Sequence, residues 1–167
     1  SASKVGADKI TESFFCSYRL PVVTVRPFNT YGPRQSARAI IPTLILQALT
    51  KERIAVGSLH PRRDFTYISD VVDGFMKAAE GKDALGGVVN LGSNREIAIG
   101  DLIQKILTAL GKPSLEVVQE PERIRPPQSE VERLWADNAR AAMLFGWSPA
   151  VPLEEGLSRT IAWIREH

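Results

Sequence analysis

Apolar positions along the 167 residues recur with two alternating periods, and the alternation divides the chain into helices and short strands. Ala7, Ile10 and Phe14 stand at i, i+3 and i+7, which predicts a helix over Ala2 to Phe15 with one apolar stripe. Pro21 opens a β-branched run, Val22 to Val25, suited to a buried strand. Pro27, Asn29, Gly32 and Pro33 punctuate the loop that follows. Helical spacing resumes from Ile40 to Leu49, with Ile41, Leu44, Ile45 and Ala48 directed inward. Short strands are predicted at Ile54 to Val56 and Phe65 to Ile68, and a helix carrying Val72, Phe75, Met76 and Ala79 comes next. Gly86 and Gly87 break that helix before a strand at Val88 to Leu91 and an extended piece at Ile97 to Ile99. Leu102, Ile103, Ile106, Leu107 and Leu110 define the clearest amphipathic helix, which Gly111 and Pro113 stop.

Glu120 to Arg133 holds three prolines and seven charged residues without any apolar period, and so reads as a loop; loops of this length usually serve a function. Beyond it, Asp137 is placed to cap a helix running through Phe145 and ended by Gly146. Leu153, Leu157, Ile161 and Ile164 mark the last helix. Helices alternating with short strands predict an α/β fold.

Composition narrows the picture. With 44% hydrophobic and 24% charged residues the chain has a globular balance. No stretch reaches the roughly 18 apolar residues of a membrane span, and no signal peptide is evident, so a soluble, cytoplasmic protein is the expectation. Cys16 has no partner for an internal disulfide and reads as a small buried hydrophobe; His60 and His167 lack companions at metal-ligand spacing, so no metal is expected. A net charge of +2 is too small for a nucleic-acid footprint, yet Arg outnumbers Lys 14 to 7. That excess points to fixed anion contacts, for which the planar guanidinium is suited.

Three segments join turn-formers to anion-binding or amide side chains: Arg26-Pro27-Phe28-Asn29-Thr30-Tyr31-Gly32-Pro33-Arg34-Gln35, Arg62-Arg63-Asp64-Phe65, and Arg123-Ile124-Arg125-Pro126. A strand ending in the first of these would place side chains in the crevice at the carboxyl end of an α/β sheet, where ligands bind. Arginines of the other two could converge on a diphosphate there. Trp135, Trp147 and Trp163 are spaced as packing aromatics, and Glu130 and Glu132, on alternate positions, are expected to be solvated.

These segments, together with Ser1-Ala2-Ser3-Lys4, the extension of the second through Thr66-Tyr67-Ile68-Ser69-Asp70-Val71, Val89-Asn90-Leu91-Gly92-Ser93 and Gly146-Trp147-Ser148-Pro149, follow one another as in a known family. The chain resembles the C-terminal half of an extended short-chain dehydrogenase/reductase of the NAD-dependent nucleotide-sugar epimerase and dehydratase group. Ser129 to Trp135, with the stretch from Arg26 to Pro42, is most similar to UDP-N-acetylglucosamine 4,6-dehydratases of the legionaminic-acid type. The resemblance implies the end of a Rossmann-type parallel sheet at 1–35, and a smaller mixed α/β substrate-binding region at 36–167 from which a short segment returns to the Rossmann side.

By the same resemblance, Lys4 is catalytic and binds the nicotinamide ribose, Pro27 and Phe28 flank the nicotinamide, and Asn29 bonds the substrate. Arg63 and Arg125 grip the pyrophosphate, Asn90 adds a nucleotide-sugar contact, Phe65 lies near the base or ribose, and Arg38 belongs to the substrate loop. The family's tyrosine falls one position before Ser1, and no glycine-rich Gly-x-Gly-x-x-Gly turn follows a strand. The chain, which lacks an initiating Met and opens on a helical pattern already under way, is therefore expected to be a catalytically inactive substrate-binding fragment that holds no NAD tightly. A UDP-sugar is the expected ligand, and an exposed apolar face is expected to make the chain a homo-oligomer. The alternatives are a UDP-sugar 4-epimerase fragment, a stand-alone nucleotide-sugar-binding module, or an oligomeric interaction module.

Overall fold

A computed structural model describes residues 2–167, so Ser1 of the first motif lies outside the described residues. In chain order the elements are α1 (Ala2–Tyr18), β1 (Thr24–Pro27), β2 (Asn29–Tyr31), α2 (Ile40–Thr50), β3 (Arg53–Val56), β4 (Arg62–Arg63), β5 (Phe65–Tyr67), α3 (Ile68–Glu80), β6 (Val88–Leu91), β7 (Ile97–Ala98), α4 (Ile99–Leu110), β8 (Glu116–Gln119), β9 (Arg133–Leu134), α5 (Ala139–Phe145) and α6 (Leu153–Glu166).

The strands pair mostly in parallel: β1 with β6, β2 with β5, and β3 with β8. A fourth small sheet, β7-β4-β9, joins an antiparallel and a parallel neighbour. Parallel strands need a crossover, and helices lie between the paired strands: α2 between β2 and β5, and α4 between β3 and β8.

The main core gathers the inward stripes of α2, α4 and α6. Ile41, Leu44, Ile45 and Ala48 are buried as their spacing predicts, as are Leu102, Ile103, Ile106, Leu107 and Leu110. Tyr31 closes this core, its hydroxyl donating to the Leu153 carbonyl at 3.2 Å. Gly111 (φ 71°) and Gly146 (φ 64°) end α4 and α5 in the left-handed conformation that favours glycine. A second, smaller cluster forms where Leu91, Ala141 and Trp147 meet Val25 and Phe145.

Several expectations are corrected. No residue of α1 is buried, and Ile10 and Phe14 are exposed. Only the two-stranded β1–β6 pair lies beside this helix, which it meets through Phe15 over Gly86 and an Arg26–Asp8 ion pair. Cys16, on the same helix, is exposed for the same reason. In α3 the small residues face inward: a side chain at Gly74 would press into Leu91 and Trp147. Val72, Phe75 and Met76 therefore point outward.

Strand β1 begins at Thr24 rather than Val22; ahead of it the Val22 carbonyl accepts from the Gly86 amide at 2.7 Å, out of the register that β1 and β6 keep. Ile68 opens α3 instead of ending a strand. Asn138, not Asp137, is the residue before α5, although the Asp137 carboxylate still accepts from the Ala139 amide at 3.0 Å. Trp135 is exposed, with the Arg133 guanidinium over its ring. The 120–133 loop is ordered by two single 3-10 turns and finishes in β9.

Candidate functional site

The start of β2, the β4–β5 junction and the 120–133 loop border one cleft of about 620 Å³. Asn29, Arg38, Arg63, Phe65 and Arg125 all line it, so five of the residues singled out from the sequence converge. Each is delivered by a different element. Asn29 opens β2 opposite Phe65 in the parallel register, and Arg63 ends β4. Arg38 sits in the turn before α2, and Arg125 on the strap between β8 and β9.

Asn29 donates its Nδ2 to the Asp64 carbonyl at 2.9 Å. Its carbonyl oxygen and second N–H are left for other partners. Phe65 is mostly buried and packs edge-on against Tyr31, so it forms floor rather than rim. The opposite wall is fixed by Gln47 of α2, whose amide accepts from the Ala55 N–H at 2.9 Å and donates to the Ala55 carbonyl at 3.2 Å. A side chain at Gly57 would collide with the Arg123 carbonyl, so strap and β3 approach closely there.

The arginines of the cleft differ in what they already hold. Arg63 donates through Nη1 to the carbonyls of Arg62 (2.9 Å) and Val131 (2.6 Å), and through Nη2 to Glu130 at 3.1 Å. Three of its five N–H donors are therefore engaged, and two remain for a ligand. The Glu130 side chain is only 10% exposed, which corrects the expectation of a solvated carboxylate. Glu132 is 65% exposed, as expected. Arg123 is paired with Glu120 at 2.5 Å. Among the described residues, Arg38 and Arg125 make no side-chain hydrogen bond or ion pair. The sequence offered no signal for Glu130, since its partner lies 67 positions away.

A second cluster braces the sheet behind Arg63. Glu96 accepts from Arg62 Nε at 2.8 Å and from Arg133 Nε and Nη2 at 3.0 and 2.9 Å, tying β4 and β9 to the segment before β7. The Arg133 hydrogen bonds, with help from Arg62, hold Glu96 below its ordinary value of 4.5, and Lys105 does the same for Glu154. A carboxylate lowered on folding adds stability above its unfolded-state pKa and loses it as pH falls through the folded-state value. The unfolding temperature is thus expected to fall below pH ~4.5, and Glu96→Gln to flatten that fall; an unchanged acid profile would refute the brace.

The remaining assignments lie elsewhere. Lys4 is exposed on α1, and neither it nor Pro27, Phe28 or Asn90 lines the cleft. Asn90 donates instead to the Asp137 carbonyl at 3.2 Å. The residues expected to meet NAD, Lys4, Pro27 and Phe28, thus stand apart from those that line the cleft. Tyr31, from the first motif, has a buried hydroxyl whose pKa desolvation raises, which suits packing and not proton transfer. Among the described residues no helix is long and apolar enough to cross a membrane.

The order of these motifs matches the family model described as GDP-mannose 4,6 dehydratase over residues 1–160. The chain belongs to that family. It is 29% identical over its whole length to dTDP-D-glucose 4,6-dehydratase of Mus musculus, of which it spans 47%. It superposes on dTDP-glucose 4,6-dehydratase from Bacillus anthracis in complex with NAD, with a TM-score of 0.89 at 26% identity, covering 99% of this chain and 51% of that one. UDP-glucuronic acid 4-epimerase from Bacillus cereus, in complex with UDP-glucuronic acid and NAD, gives a TM-score of 0.88 at 30% identity, with 99% and 52% covered. The family chain thus spans about half the length of these relatives, which are nucleotide-sugar 4,6-dehydratases and 4-epimerases. Its fold is that of the corresponding part of an extended short-chain dehydrogenase/reductase.

Proposed function

We propose that this chain is the nucleotide-sugar-holding part of an NAD-dependent sugar-nucleotide 4,6-dehydratase, with UDP-N-acetylglucosamine as the substrate. The observation that carries the reading is the pair of unengaged arginines, Arg38 and Arg125, facing one cleft with Asn29 and the two spare N–H groups of Arg63. Guanidinium forks give short, charge-assisted hydrogen bonds to phosphate oxygens. Arg125 and Arg63 would grip the diphosphate, Asn29 would orient a sugar hydroxyl, and Phe65 would close the floor under the ligand.

NAD, when bound, supplies reversible hydride transfer. The glycine-rich turn that holds NAD in the resembling enzymes does not occur after a strand in these 167 residues. The chain by itself is therefore proposed to bind without turning substrate over. A UDP-sugar 4-epimerase is the second reading, favoured by the match to the Bacillus cereus epimerase.

Calorimetric titration tests the reading: UDP and UDP-N-acetylglucosamine are expected to bind, uridine to bind far more weakly, and Arg125→Ala to cost about tenfold or more in affinity. Equal affinities for UDP and uridine would rule out a diphosphate grip. The exposed Ile10, Phe14 and Tyr18 of α1 support a further proposal, self-association through that helix. Sedimentation at micromolar concentration is expected to show a dimer that Phe14→Glu dissociates; a monomer throughout would refute it.

A further inference from the structure

Asp64 separates Arg63 from Phe65 and is fully buried. Its Oδ1 accepts from the Ser93 amide at 2.7 Å and the Ser93 hydroxyl at 2.6 Å, and its Oδ2 from the Ala136 amide at 3.2 Å. Its backbone N–H donates to Leu134 at 2.9 Å, and its carbonyl accepts from the Asn29 side chain at 2.9 Å. Among the described residues no Lys, Arg or His pairs with it, so dipoles alone solvate this carboxylate. A buried polar group is expensive unless hydrogen-bonded, and both oxygens here are met by donors.

The contacts reach three separate stretches: the turn after β6, the chain leaving β9, and the start of β2. A side chain at Gly92 would overlap Ala136 and crowd Asp64 Oδ2, so these stretches meet too closely for a water layer. Two of them carry the cleft: Asn29 stands on β2, and β9 anchors the end of the strap bearing Arg125 and Glu130.

We propose that Asp64 is a positioning residue: without touching a ligand, it sets Asn29, Arg63 and the strap of Arg125 at their mutual places in the cleft. The ligand consequence rests on the nucleotide-sugar reading above; the positioning itself does not. In Asp64→Asn an amide N–H₂ opposes N–H and O–H donors, and the three stretches must shift apart.

The test is heteronuclear NMR of the full chain, unmodified and Asp64→Asn, followed by UDP titration of both. The Asn29 side-chain amide and the Arg63 Nε resonances are expected to move along with the Ser93 and Ala136 amides, while the methyls of Ile103 and Leu107 in the main core stay in place. UDP affinity is expected to fall tenfold or more. Changes confined to Ser93 and Ala136 would overturn the proposal, as would unchanged UDP affinity. Propagated shifts in a chain that binds no UDP would uphold the positioning and refute the nucleotide reading instead. Should Asp64→Asn not fold, Ser93→Ala removes one donor alone; a smaller shift of the Asn29 amide supports the proposal and none overturns it.

Discussion

Arg63→Ala is expected to destabilise the chain by about 3–5 kcal/mol, because it strands a buried carboxylate. Arg63 and Glu130 are 15% and 10% exposed, and Glu130 takes its other contact only from the adjacent Val131 amide. The same substitution frees the Val131 carbonyl and so unties the strap from β4. Removing both partners, in Arg63→Ala/Glu130→Ala, leaves no unpaired charge and is expected to restore part of the loss. Urea unfolding of the two single variants and the double variant measures the coupling. A loss below about 1 kcal/mol in Arg63→Ala would place the pair among solvated surface pairs and remove its hold on the strap.

Trp147→Ala is expected to cost about 3–5 kcal/mol, the range for deleting a buried aromatic. Trp147 is the largest fully buried side chain, and the cluster it anchors contains only two other buried residues, Leu91 and Ala141. Its indole N–H donates to the Asp70 carbonyl at 2.9 Å, so the variant also removes a hydrogen bond that ties Trp147 to α3. With so few neighbours the cavity cannot be refilled, and α5 is expected to loosen from β6. A fall in the urea midpoint together with faster exchange of the α5 amides is the expected result. A midpoint matching the unmodified chain would mean that the cluster contributes little.

How much of this was legible in the sequence depended on the range of the contacts involved. Ile41, Leu44, Ile45 and Ala48, and the Leu102 to Leu110 stripe, could be read because a helix facing a deep core shows its period locally. Gly111 and Gly146 could be read because a left-handed cap favours one residue type. Val72, Phe75 and Met76 marked the helix α3 but not its buried face, because α3 reaches its strands through Gly74 and Ala78, leaving the larger apolar residues outside. The two-residue strands β4 and β9 exist only through partners distant in sequence, so they carry no local pattern, whereas β7 falls within the extended piece predicted at Ile97 to Ile99. Glu130 and Asp64 escaped for that reason as well: one is defined by Arg63, the other by Ser93 and Ala136. Asn29, Arg38, Arg63, Phe65 and Arg125 came together in the cleft, whereas Lys4, Pro27, Phe28 and Asn90 did not.

The central claim is that these residues form a grip for a nucleoside diphosphate, and the UDP titration tests it most directly. One UDP per chain is expected to bind, with uridine much weaker, with affinity falling as salt rises and with Arg125→Ala removing most of the heat. A folded chain that takes up neither UDP nor UDP-N-acetylglucosamine, or holds uridine equally well, would contradict it.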